Sequence, residues 1–201
     1  LHIHTTFSIG DTAIVPEQTI EFIAAVDHAE TVGISDHFEY LTDGAFDEYE
    51  QTIRSLGLKM GTEIDGREWV SDAMQYDFDY YIYHCYNRPG DYKGLEKLLS
   101  SEKPVIVAHP MAMKTDSNKL PQECIIEINN RYVWRSDWKS YYEPIKNVFR
   151  FILSSDAHQP NWLNQNIARY VAKELSIKEY IMFDVQSLNV NAVQRGNSIS
   201  F

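Results

Sequence analysis

The chain has 201 residues, 44% apolar and 13% aromatic, which is enough for one domain with a substantial core. Its 18 basic and 29 acidic residues give a net charge of −11, a poor match for a polyphosphate backbone, so long nucleic acid is not an expected partner. Two cysteines make no disulfide framework, and neither a membrane-length apolar run nor a leader is visible, so a cytoplasmic protein without a membrane partner is expected.

Leu1 opens the sequence inside a strand-like run and without a Met, so further residues upstream are expected. Strands are predicted near 1–5, 32–36, 58–64, 79–86, 104–108, 124–129, 149–154 and 180–184. Helical spacing lies between them. Val15-Pro16 opens a helix with Ile20, Ile23 and Ala24 on one face, since Pro suits a first turn. Phe46, Tyr49, Ile53 and Leu56 form a second face, stopped by Gly57. Leu95, Leu98 and Leu99 mark a short third helix, and Leu163, Ile167, Tyr170, Val171 and Leu175 a longer one. The alternation predicts an α/β fold with a largely parallel sheet, in one domain over 1–201, with its core in 1–185 and a polar tail over 186–201. Oligomeric state is not legible.

Six of the seven histidines fall at the ends of these strand-like runs, most beside a carboxylate. His2 and His4 are two apart and so share one face of a strand; Asp156 and His158 repeat that spacing after FIL. Asp11 follows the first pair in the loop TTFSIGD, and GISDH ends in Asp36 and His37, of which only one can face a ligand directly. Glu63 ends the GTE run, with Asp65 a weaker candidate on the same face; His84 and His109 close YIYH and VIVAH. Any one of these would be an ordinary strand-end polar residue. Together they predict one metal cluster, because imidazole plus carboxylate is a ligand set for Zn, Mn or Fe, and strand ends of α/β sheets converge on one face. His28, in a helical stretch, fits a surface position, and Cys85 and Cys124 fit small buried ones.

In order, HIHTTFSIGD, GISDH, GTE, AHP and SSDAH resemble the polymerase and histidinol phosphatase (PHP) family of metal-dependent phosphoesterases, over residues 2 to 158. The resemblance implies a distorted (β/α)7 TIM-like barrel with two or three divalent ions at its strand ends. It implies that His2, His4 and Asp156 hold one ion, that Glu63 bridges it to a second completed by His84 and His109, and that Asp11, His37 and His158 hold a third. Two departures stand out. The loop reads Ser8-Ile9-Gly10-Asp11 where family members often carry Ser-Asp-Gly or a His, and the usual Asp-to-His spacing reaches His84 from Asp77 but Tyr86 from Asp79.

The implied activity is hydrolysis of a small phosphate ester through a metal-bound hydroxide, with Asp156, His109 and Glu63 catalytic. Arg131, Asn129 and Arg67 are the expected substrate contacts, with Asn130, Arg88 and Lys114 as further candidates. Trp134 and Trp138 are placed to flank a leaving group or to pack their loop. A nucleotide phosphodiesterase or nuclease of the same fold, a non-catalytic metal-bound module, and a hydrolase of C–N bonds are the alternatives.

Overall fold

The computed structural model describes residues 1–41 and 44–183. Six strands carry the architecture: β1 (Gly33–Ile34), β2 (Lys59–Ile64), β3 (Tyr80–Tyr83), β4 (Val105–Val107), β5 (Ile125–Asn129) and β6 (Arg150–Ser154). Each pairs in parallel with the next in chain order, giving one curled sheet β1-β2-β3-β4-β5-β6. The helices are α1 (Ile20–Ala25), α2 (Ala45–Ser55), α3 (Val70–Ala73), α4 (Pro89–Leu99), α5 (Trp138–Tyr142) and α6 (Asn166–Leu175). No helix among the described residues is long and apolar enough to cross a membrane.

The closed seven-stranded barrel expected from the sequence is corrected to an open sheet. β1 and β6 do not pair, and the run at 1–5 forms a single bridge, Ile3 to Ala157, rather than a ladder. Backbone bonds hold that run in place: Asp156 N donates to His2 O, His4 N to Ala157 O and Ser35 N to Ile3 O, each at 2.9 Å. Its partners there lie beyond the ends of β1 and β6, where Asp156 turns left-handed (φ 52°), so a regular ladder cannot extend. The strand expected at 180–184 is likewise one bridge, Glu179 to Phe151, and its last residue lies outside the described residues, as does the tail at 186–201.

The period of two sorts the strand residues between two apolar layers. Ile34, Met60, Ile64, Tyr81, Tyr83, Val105, Val107, Ile126, Ile128, Phe151 and Leu153 pack beneath the helices. Tyr80, Ile82, Ile106, Ala108, Ile125 and Ile152 face the concave side. Gly61 sits beside Tyr80 in register, and a Cβ there would run into the tyrosine ring, so this strand position tolerates only glycine.

Helix α2 buries Phe46, Tyr49 and Ile53 as its spacing predicts and stops at Gly57, where φ is 71°. The first helix starts at Ile20 rather than at Pro16. Val15–Gln18 forms a turn instead, Gln18 points inward to donate to His4 O (3.0 Å), and Thr19 caps Phe22 N. The third helix runs the whole of 89–99, opening on Pro89. In α6 the buried face is Ala168, Val171, Ala172 and Leu175, while Ile167 and Tyr170 of the expected face are 38% and 55% exposed. The start of this helix is fixed from outside: Asn130 Oδ1 accepts from Ile167 N (2.9 Å) and Ala168 N (3.2 Å), so Asn130 is a helix cap.

Tyr49 ties this scaffold to the strand ends. Its hydroxyl donates to Gly61 O (2.9 Å) and accepts from Asp36 N (3.2 Å), with the side chain fully buried. Tyr49→Phe leaves both backbone groups unpaired, and thermal unfolding is expected to show a loss of roughly 2–6 kcal/mol, since each of the two unsatisfied buried groups costs roughly 1–3 kcal/mol.

Candidate metal centre

On the concave side each strand is apolar low down and polar at its C-terminal end. Along β5 the series is Ile125, Glu127, Asn129; along β6 and beyond it is Ile152, Ser154, Asp156; along β3 it is Tyr80, Ile82, His84. Strict alternation would send His109 after Val105 and Val107 to the helix side. A bend at His109 (φ 21°) turns it to the concave side instead. His2 and His4 enter from the N-terminal run, facing the same way as their spacing predicts, and His37 follows β1 to bridge Glu63.

These side chains converge on the carboxylate of Glu63. Its Oε1 lies 2.5 Å from His84 Nε2, 3.1 Å from His2 Nε2 and 3.4 Å from His109 Nε2. Its Oε2 lies 3.1 Å from His4 Nε2 and 3.3 Å from His37 Nδ1. Asp156 Oδ1 stands 3.7 Å from His4 Nε2 and 3.8 Å from His2 Nε2, and His158 Nε2 meets Asp11 Oδ2 at 2.7 Å. All nine residues that the sequence singles out as ligands therefore meet in one place.

Three sets bring their donor atoms within 4.8 Å of one another: His2, His4 and Asp156; Glu63, His84 and His109; and His4, His37 and His158. The first two coincide with the grouping the resemblance implies. In the third, His4 stands where Asp11 is expected, while Asp11 pairs with His158 and lies 3.9 Å from His37 Nε2.

The donor set fits divalent cations. Five imidazoles surround one carboxylate, which has about four lone-pair sites to offer. The outward nitrogens are also tied. His2 Nδ1 faces Glu127 Oε1 (2.6 Å), His84 Nδ1 faces Asp65 Oδ1 (3.2 Å), and His158 Nδ1 reaches Asp156 O (3.0 Å). Once the inner proton is displaced, Nδ1 held in this way leaves an Nε2 lone pair aimed inward, the form in which histidine binds metals. His109 Nδ1 is buried with no hydrogen-bond partner among the described residues.

Charge is strongly perturbed at Glu63, His84 and His4. Burial pushes Glu63 upward, but His84, His2 and His37 outweigh it and hold the carboxyl well below its ordinary range. Burial likewise works against protonated His84, yet Glu63 and Asp65 raise it to about 10. His4 is driven well below its ordinary value by burial and then by His37.

Several polar residues prove to support the cluster from outside. Asp36 accepts from Thr5 N (2.6 Å), Thr5 Oγ1 (2.7 Å) and Ser8 Oγ (2.6 Å), fastening the loop after His4. Asn129 donates through Nδ2 to Glu127 Oε2 and Asp156 Oδ2, both at 3.0 Å, and is 1% exposed. That burial makes Asn129 a holder of Asp156 rather than a substrate contact.

Arg131 does reach the cluster. Its Nη1 is 3.2 Å from His158 Nε2 and 3.6 Å from Asp156 Oδ1, and its guanidinium lies over Tyr132 and Trp162, 5.2 Å from each ring. Arg67 is not brought in; it is exposed and lies over Gly90 of α4. Arg88 pairs with Asp91 and lies over Tyr86, and Lys114 is exposed. Trp138 packs on the core and against Tyr170, whereas Trp134 is 59% exposed. His28 stays apart, bonded to Val26 O (2.8 Å), and Cys85 and Cys124 are buried and free.

Sequence reading missed Glu127, Tyr132, whose ring lies 4.7 Å from that of His109, and Trp162. Only Glu127 left a signal: it is the one charge inside an apolar run, in step with Asn129 on the concave face.

The chain matches no protein-family model, no curated protein and no solved structure.

Because His84 holds its proton up to about 10, a cation entering at neutral pH has to displace it. Titration calorimetry of Zn or Mn uptake, repeated in buffers of different ionisation enthalpy, is expected to register proton release between pH 6 and 8, roughly, with affinity rising as pH rises. Uptake without proton release, or tighter at lower pH, would contradict this account.

Proposed function

We propose that the chain is a metal-dependent phosphoesterase acting on a small phosphate ester, in keeping with the PHP resemblance. The observation that carries this reading is the convergence of five imidazoles on buried Glu63, with Asp156 beside them. His2, His4 and Asp156 would hold one ion; His84 and His109 would hold a second, bridged to the first by Glu63. His37 and His158, with His4 or Asp11, would hold a third where one binds. Zn, Mn and Fe all suit such ligands. When bound, these ions would acidify a water and neutralise phosphoryl oxygens.

The chain's own groups do the rest. Arg131, pinned between Tyr132 and Trp162 at the rim, offers a guanidinium to a phosphoryl oxygen arriving beside Asp156. Asn129 ties up Asp156 Oδ2, which leaves Oδ1 directed at the histidines. The net charge of −11 favours a small substrate over a polyanion.

Elemental analysis should find two or three equivalents of metal in purified protein. Hydrolysis of a generic aryl phosphate should fall roughly 100-fold or more in His109→Ala, the scale on which loss of transition-state charge stabilisation acts. Full metal occupancy without turnover of mono- or diesters would defeat the phosphoesterase reading. Protein that stays metal-free when Zn, Mn and Fe are supplied would defeat the centre itself.

A further inference from the structure

Glu127 lies within β5, fully buried, and belongs to none of the three sets of candidate ligands. Four donors converge on its two oxygens. Oε1 faces His2 Nδ1 (2.6 Å) and accepts from Ser154 Oγ; Oε2 accepts from His109 N (2.5 Å) and Asn129 Nδ2 (3.0 Å). Asn129 carries the link on to Asp156 Oδ2 at 3.0 Å. One carboxylate thus touches His2 of the first set and the backbone of His109 of the second, and reaches Asp156 through one amide. His109 (φ 21°) and Asp156 (φ 52°) are both in backbone conformations that L residues rarely adopt and that persist only when their surroundings fix them.

Taking the cluster as a cation centre, we propose that Glu127 is a positioning residue for both ion sites. It sets the ring tautomer of His2 through one oxygen and the backbone bend of His109 through the other.

Counting donors makes the assignment specific. The His109 amide can only donate. Asn129 cannot turn over, because its Oδ1 already accepts from Arg131 N (2.9 Å) and Tyr132 N (3.2 Å). With His2 Nδ1 donating to Glu127, Nε2 is the ring atom left facing Glu63 Oε1 and His4 Nε2, each at 3.1 Å, and its lone pair is the one a cation would take up.

Glutamine has the shape of glutamate but a single acceptor oxygen. In Glu127→Gln that oxygen is claimed by the His109 and Asn129 donors, so the new amide NH₂ faces His2 and Ser154. The serine hydroxyl can rotate. His2 can adapt only by accepting at Nδ1, which moves its hydrogen to Nε2 and blocks the lone pair aimed at the cluster. The Gln variant therefore disables the His2, His4 and Asp156 set while sparing Glu63, His84 and His109.

The test is long-range ¹H–¹⁵N correlation of the histidine rings together with zinc-binding titrations, on wild type and Glu127→Gln, with His84→Ala as the control. In wild type His2 should be protonated at Nδ1. In Glu127→Gln it should be protonated at Nε2, with zinc binding at one site weakened about 10–100-fold, the usual cost of losing an outer-shell partner. His84→Ala should weaken zinc binding without changing the His2 tautomer. A Gln variant that keeps Nδ1-protonated His2 and wild-type zinc affinity overturns the proposal. If that variant does not fold, the wild-type spectrum decides, since a His2 Nδ1 that carries no proton is incompatible with it. Wild type that binds no zinc overturns the cation-centre reading instead, and the His2 spectrum of the same sample still decides the part played by Glu127.

Discussion

A single buried carboxylate governs the design of this protein. Glu63 is 2% exposed, and a lone carboxylate taken that far out of water would be prohibitively unstable. It is tolerated because five imidazoles converge on it, and those imidazoles are themselves buried only because Glu63, Asp156 and Glu127 are there to receive them. Neither side of this arrangement is stable alone. The surplus of basic nitrogen over carboxylate oxygen leaves three sets of donor atoms that could hold a cation, rather than a set of closed ion pairs.

Placing so many polar groups together needs a scaffold that is dry below and polar above. The parallel sheet supplies it: every strand points the same way, so every C-terminal end arrives on the same side. The concave face begins with Tyr80, Ile106, Ile125 and Ile152 and changes to Glu127, Ser154, Asn129 and His84 within a few residues. Regular alternation accounts for most of that face. His109 and Asp156 depart from extended geometry, and both are held through their amides, His109 N donating to the Glu127 carboxylate and Asp156 N to His2 O. Two of the six non-glycine residues with positive φ among the described residues, His109 and Asp156, are thus candidate ligands.

The N-terminal run explains why the sheet need not close into a regular barrel to assemble the cluster. It is anchored at a few points, by Ile3 to Ala157 and Ser35 and by His2 to Asp156, yet these suffice to fix His2 and His4 between β1 and β6. Asp36 and Gln18 then secure the chain that follows. A few backbone bonds, supplemented by side-chain ones, do here the work that a ladder does elsewhere in the sheet.

Much of this was legible in the residues themselves. Apolar runs broken by helical spacing determined a parallel α/β sheet, and the placing of histidines at strand ends determined that His2, His4, His37, Glu63, His84, His109, Asp156 and His158 would meet, because strand termini share one face. The spacing of Phe46, Tyr49 and Ile53 determined the buried side of α2. What only the tertiary structure decided depends on partners remote in sequence. The open sheet, the start of α6 under Asn130 and its rotation toward Ala168 and Ala172, the retreat of Asn129 behind Asp156, and the exclusion of Arg67 in favour of Arg131 have no local signature. Glu127 is the clearest instance. In sequence it is one charge in an apolar run, and its meaning comes from His2, 125 residues away, and from His109 on the neighbouring strand. Local spacing dictates which way a side chain points, but only the fold dictates what it meets there.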